Sequence, residues 1–275
     1  MKTFLVKIIG SYFNILSLFS LKYAAKKALN LFSTPRKGNV TKSQSDFLDA
    51  AIKDVLLYDN LKITTYHWEG NKETMLLAHG WESNAARWKK TVKSLQQLDY
   101  NIIALDAPTH GNSSGKQFNA LLYSECINEV VKKFNPTIFI GHSVGGMAIV
   151  FYYHNYKFAN IKKMILLGMP SELKDVFKRY VLMMNYNKRI EKQINEMTFE
   201  RFGKYPKAFS TASFLEDATF EGLIIHDKKD PIIPYNEALL IHEKFKNSTL
   251  VTTQNFGHSL VSNDVTNHIT NFITS

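Results

Sequence analysis

Cysteine is almost missing from this chain of 275 residues. The lone Cys126 excludes an internal disulfide framework and a paired-thiolate metal site, and it reads as a buried helix residue. No His-Glu-x-x-His pair, carboxylate cluster or phosphate-cradling G-x-x-x-x-G-K-S/T occurs, so no metal and no cofactor is expected. Glycine (13) and proline (7) are sparse, and no Gly/Ser or Pro-rich linker divides the chain. With 45% hydrophobic residues it is long enough for one large core. Acidic side chains are absent from the first 45 residues, where Lys2, Lys7, Lys22, Lys26, Lys27, Arg36, Lys37 and Lys42 carry eight of the ten net positive charges. The remainder is nearly balanced, with 26 basic against 24 acidic residues, which argues against a nucleic-acid face.

Long uncharged runs are missing too. The stretch from Ile8 to Leu21 would be roughly 21 Å long as a helix, against a hydrocarbon core of about 30 Å. Lys7, Ser11, Asn14, Ser17 and Lys22 recur at helical spacing around a broad apolar surface, so residues 1–43 are expected as a basic amphipathic helical extension. Three destinations stay open for residues 1–33: an anionic membrane surface, the folded domain, or a signal anchor in which Lys7 snorkels. The expected location is cytoplasmic, peripheral on the inner face of the membrane if the first destination holds.

After Pro35-Arg36-Lys37-Gly38, residues 44–57 read as a helix and 62–68 as an edge strand. Short apolar runs at 74–80, 101–108, 137–143, 162–170, 222–227 and 248–255 then alternate with helical segments at 85–98, 118–134 and 145–156. That rhythm predicts an α/β fold over 44–275, a mostly parallel sheet with helices on both faces. About fifty residues separate the runs ending near Met169 and starting near Gly222, far more than a crossover needs. The surplus, about 171–216, is expected as a small helical cap.

Within 137–150, Gly141-His142-Ser143-Val144-Gly145 fits G-x-S-x-G where a strand turns into a helix. Gly141 and Gly145 allow the sharp turn and close packing, which pushes the Ser143 hydroxyl out at the sheet edge as a candidate nucleophile. A serine hydroxyl needs a base, and the base an orienting carboxylate. His258 follows the last predicted strand, and Asp230 lies just past the preceding one. Asp227 is a second candidate acid, or a strand-end residue that caps the turn.

The chain resembles the α/β-hydrolase family from about residue 60 to 275, on His79-Gly80-Trp81, Gly141 to Gly145, His226 to Pro234 and Gly257-His258. Asp227 departs from the glycine usual in the family's acid loop, and register with that loop favours Asp230. The resemblance implies an oxyanion hole from the backbone N–H groups of Trp81 and Val144. It gives His79 and Gly80 a part in shaping that loop and His142 the variable elbow position, with the Trp81 indole as a wall of the acyl pocket. The loop from Asp106 to Ser113 corresponds to one that supports the site. The implied activity is hydrolysis of a small-molecule carboxylic ester, lipid-like or acyl, through an acyl-enzyme. Carbon-carbon bond hydrolysis, acyl transfer and cofactor-free haloperoxidation share the same triad, and a non-enzymatic membrane-tethered scaffold is the remaining alternative.

Overall fold

The structure, a computed structural model, describes residues 2–157 and 159–275; Met1 of the expected extension lies outside them. In chain order come α1 (Lys2–Phe19), α2 (Leu21–Ser33), α3 (Lys42–Leu48), β1 (Ile52–Tyr58), β2 (Leu61–Trp68), β3 (Thr74–Ala78), α4 (Lys89–Gln97) and β4 (Asn101–Leu105). They continue as α5 (Ala120–Phe134), β5 (Ile138–His142), α6 (Val144–Tyr156), β6 (Lys163–Leu167), α7 (Leu173–Met184), α8 (Lys188–Phe202) and the single turn α9 (Thr211–Phe214). The last elements are β7 (Glu221–Asp227), α10 (Tyr235–Lys244), β8 (Ser248–Thr253) and α11 (Asn263–Thr274). The chain forms two compact units, one of residues 35–171 with 211–275 and one of residues 1–34 with 172–210.

The larger unit is built on an eight-stranded sheet in the order β1-β2-β4-β3-β5-β6-β7-β8. Pairing is antiparallel from β1 through β2 to β4 and parallel across all the rest. The parallel strands from β3 to β7 are largely continuous apolar runs because both of their faces are covered, whereas the edge strand β8 (Ser-Thr-Leu-Val-Thr-Thr) is not. Met75, Leu77, Ile102, Ile140, Ile165 and Ile225 share one core with Val92 and Leu95 of α4 and Val265 and Ile269 of α11. The alternate residues Leu76, Ile103, Phe139 and Leu166 are buried on the other face, where α6 lies against β5 and α10 against β7. Cys126, on α5, is fully buried.

Two elements differ from the sequence reading. The helix expected over 44–57 is α3 followed by β1, and the edge of the sheet is therefore β1, with β2 second. Of the seven β1 residues none is buried, and Ile52, Val55 and Leu57 are exposed. Without a buried face to impose strict alternation, the run does not advertise a strand. Residues 35–43 belong with the sheet rather than with the extension. Asn84 Nδ2 donates to the carbonyls of Gly38 (3.2 Å) and Asn39 (3.3 Å), and the Gly111 N–H donates to Gly38 O at 2.9 Å.

The smaller unit joins α1 and α2 to α7 and α8 of the insertion. Ala25 and Ala28 of α2 pack with Tyr180, Val181, Met184, Tyr186, Ile190 and Ile194 in a separate apolar core, against which Val6, Ile9 and Phe13 of α1 are half-buried. The Tyr180 hydroxyl donates to Ala28 O at 2.8 Å. Among the described residues no helix is long and apolar enough to cross a membrane.

Candidate active site

The site sits at the carboxyl ends of the parallel strands, where such sheets place ligand chemistry. Ser143 joins β5 to α6 with φ 52° and ψ −127°, backbone that a side-chain-bearing residue rarely adopts. Two neighbours make the turn feasible. A Cβ on Gly141 would lie 2.4 Å from Gly146 Cα, and one on Gly145 would lie 2.4 Å from the carbonyl oxygens of Ala78 and His79. The Ser143 N–H donates to Leu167 O at 2.8 Å, which fixes the elbow to the neighbouring strand.

Ser143 Oγ lies 3.0 Å from His258 Nε2, and His258 Nδ1 lies 2.7 Å from Asp230 Oδ2. Asp230 Oδ1 accepts the N–H groups of Ile232 (2.8 Å) and Ile233 (3.0 Å). Burial by itself would raise the Asp230 carboxyl. The hydrogen bond from His258 and the two backbone N–H groups outweigh it, so the carboxyl stands below its ordinary value and stays ionised. Asp227 does not touch His258. It accepts from Thr253 Oγ1 (3.0 Å) and the N–H groups of Phe256 (2.8 Å) and Lys229 (2.9 Å). It therefore fixes the loop that carries the histidine.

Trp81 and Val144 follow β3 and the elbow serine respectively, and no partner for either N–H is found among the described residues. Gly80 lets these turns approach, since a Cβ there would lie 2.7 Å from His142 Nδ1 and 3.0 Å from Ser143 Cβ. His79 is wholly buried and bridges two loops: its Nδ1–H donates to Gly80 O (2.7 Å) and its Nε2 accepts the Ala107 N–H (2.9 Å). That pattern requires a neutral ring, and burial, with His110 adding, pushes its pKa down to about 3. The Trp81 indole, 36% exposed, meets His110 and Phe118 at ring distances of 5.4 Å each. Asp106 ties the same loops, accepting from Ala85 N (2.8 Å), Asn112 N (2.8 Å) and the Tyr66 hydroxyl (2.9 Å).

His142 does more than occupy a variable position. Its Nε2–H donates to the carbonyl of His258 at 2.8 Å, while its Nδ1 accepts from Arg87 Nη1 at 2.7 Å. Arg87 Nη2 in turn donates to Ser259 O at 2.9 Å. Burial first, and the guanidinium second, hold the His142 pKa well below its ordinary value, which keeps Nδ1 free to accept. Arg87 has no carboxylate partner among the described residues, its guanidinium lies 4.9 Å over the Trp88 ring, and burial lowers its pKa to about 9. Sequence reasoning missed Arg87. The available signal was a cation inside Ala85-Ala86-Arg87-Trp88 with no acid three or four residues away on either side.

No group of three or more His, Cys, Asp or Glu that could hold a metal is found among the described residues.

The family described as alpha/beta hydrolase fold matches residues 73–221, and one described as TAP-like protein matches residues 204–275. A pimeloyl-[acyl-carrier protein] methyl ester esterase of Vibrio campbellii is 32% identical over 88 residues, covering 30% of this chain and 33% of that one. A probable serine hydrolase of Drosophila melanogaster is 35% identical over 95 residues, 31% of this chain and 28% of its own. The chain thus spans about a third of the length of the curated relatives it matches. Among solved structures, Est1E of Butyrivibrio proteoclasticus with bound ferulic acid aligns with a TM-score of 0.66 at 17% identity, over 81% of this chain and 100% of that one. With more than half of its length matched by that family, and with the sheet order and elbow described above, the chain belongs to the alpha/beta hydrolase fold family.

Proposed function

We propose that the chain hydrolyses carboxylic esters, with Ser143 as nucleophile, His258 as base and Asp230 as the carboxylate that orients it. One observation carries this reading: the hydrogen-bonded line from Ser143 Oγ through His258 to Asp230, at 3.0 and 2.7 Å, with its serine on a strained strand-to-helix turn. His258 Nε2 takes the Ser143 proton as Oγ attacks the ester carbonyl. Asp230 Oδ2 keeps the other ring proton on Nδ1, so Nε2 faces the serine as an acceptor. The oxyanion is met by the N–H groups of Trp81 and Val144, each worth about 3 to 4 kcal/mol in the transition state. The imidazolium returns its proton to the departing alcohol, and water, activated by the same histidine, cleaves the acyl-enzyme. Trp81 and Phe118 supply an apolar wall beside one oxyanion donor, which favours an acyl chain over a polar group. The methyl ester esterase activity named for the Vibrio campbellii relative supports the same reaction class.

Labelling with a fluorophosphonate, read by intact mass, tests the assignment. Wild type is expected to gain one adduct, Ser143→Ala none, and His258→Ala one formed much more slowly. An adduct of equal yield on Ser143→Ala would remove Ser143 as nucleophile.

A further inference from the structure

Helix α1 has two apolar faces, and the small helical unit uses one of them. On the inward side Val6, Ile9 and Phe13 pack on the core shared with α7 and α8. A Cβ on Gly10 would lie 1.7 Å from Met184 O, so the helix backbone itself meets α7. Asn14 Nδ2 donates to Asn185 O at 2.8 Å, Asn14 Oδ1 accepts the Asn187 N–H at 2.9 Å, and Asn187 Nδ2 donates to Ser17 Oγ at 3.2 Å. These bonds fix the rotation of α1 about its own axis.

The outward side is therefore fixed as well, and it is also apolar. Leu5, Ile8, Tyr12, Ile15 and Phe19 recur at steps of three and four, one stripe of a helix, and each is 49% exposed or more, Phe19 reaching 85%. Leu18, Leu182 and Met183 of the same unit are exposed too. The unit that presents this stripe carries 14 lysines and arginines against 5 acids, so nine of the ten net positive charges of the chain lie in it. Two copies meeting through such surfaces would bring like charge together, whereas an anionic lipid surface complements both features.

We propose that this unit is a peripheral membrane-docking module. Helix α1 lies in the plane of an anionic bilayer, with Leu5, Ile8, Tyr12, Ile15 and Phe19 at the headgroup-acyl boundary and the surrounding lysines at the phosphates. Asn14 and Ser17 remain engaged with Asn185 and Asn187, so docking needs no release of α1. This inference is independent of the ester-hydrolase reading.

Flotation of the full chain with vesicles tests it. With equal parts phosphatidylcholine and phosphatidylglycerol at low salt the chain is expected to float, and with phosphatidylcholine alone to stay largely below. Added salt should weaken the anionic partition. Ile8→Ser with Ile15→Ser, both on the exposed stripe, should lower partition by roughly tenfold or more. Lys7→Gln, Lys26→Gln and Lys27→Gln together should lower it by up to about a hundredfold, and on anionic vesicles alone. Circular dichroism melts verify that the variants fold; should the serine variant not fold, the lysine variant and the salt series decide by themselves. Failure of wild type to float on either vesicle, or flotation indifferent to salt and to the lysine variant, overturns the proposal. Sedimentation showing a dimer that the serine variant dissociates would assign the stripe to a second copy instead.

Discussion

At the scale of single residues, two carboxylates three positions apart have separate work. Asp230 faces the histidine, and Asp227 faces the backbone of the loop carrying it. Asp230→Asn is expected to lower kcat by about 10⁴-fold by admitting the wrong imidazole tautomer. Asp227→Asn should leave kcat within a few-fold while costing about 1–3 kcal/mol in urea unfolding, because buried N–H groups lose a charged acceptor. The reverse ranking of kcat would exchange their roles. Arg87 offers a third contrast, since it and His142 bind the carbonyls of Ser259 and His258 rather than any reacting atom. Arg87→Ala should reduce kcat by roughly tenfold to a hundredfold through misplacement of His258, with KM nearly unchanged. Arg87→Lys, which keeps a charge without the fork, should recover only part of the loss. A change confined to KM would mean that Arg87 binds substrate instead. The serine and histidine were legible from spacing and strand context, whereas the choice of Asp230 over Asp227 came from register with the family's acid loop. Arg87 was not legible, because a lone cation on a single helical turn, here Ala85–Trp88 just before α4, ordinarily points to water.

At the scale of elements, the elbow depends on backbone proximity. Gly145 has no room for a methyl group beside the carbonyls of Ala78 and His79, whereas Gly203, with φ +69°, has nothing within 4 Å of the same position. Gly203→Ala should therefore cost only the left-handed conformation, about 1 kcal/mol. Gly145→Ala must move α6 away from β3 and should cost several times as much, or prevent folding. Urea midpoints for the two variants check the ratio, and similar midpoints would mean that the α6–β3 contact yields easily. The strands β3 to β7 were readable because burial on both faces makes them continuously apolar. The edge strand β1 lacked that signature. The attachment of α1 and α2 to the insertion was hidden for another reason. It joins segments more than 140 residues apart through small residues, Gly10, Ala25 and Ala28, which carry no pattern of their own.

At the scale of the whole molecule, the buried neutral histidines set the response to acid. His79, at about 3, and His142, well below its ordinary value, both stand under the 6.5 of a free imidazole. Below about pH 6.5 the unfolded chain therefore binds protons that the folded chain refuses, and stability falls as pH drops toward 3, by up to about 1.4 kcal/mol per pH unit for each ring. Asp227 and Asp230, whose folded values lie below 3.8, contribute stability that is lost only in stronger acid. Urea midpoints should decline from about pH 6.5 downward, and His79→Gln should flatten the slope; a level profile from about pH 7 to 5 would contradict this account. Such openings can be counted directly. Cys126 is the sole thiol, it is wholly buried on α5, and burial, with Glu125 and Glu129 nearby, raises its pKa to about 12. In the closed state it offers neither access nor thiolate to a maleimide. Each labelled molecule therefore records one excursion in which the core parted at α5, so a single natural atom clocks the breathing of the fold.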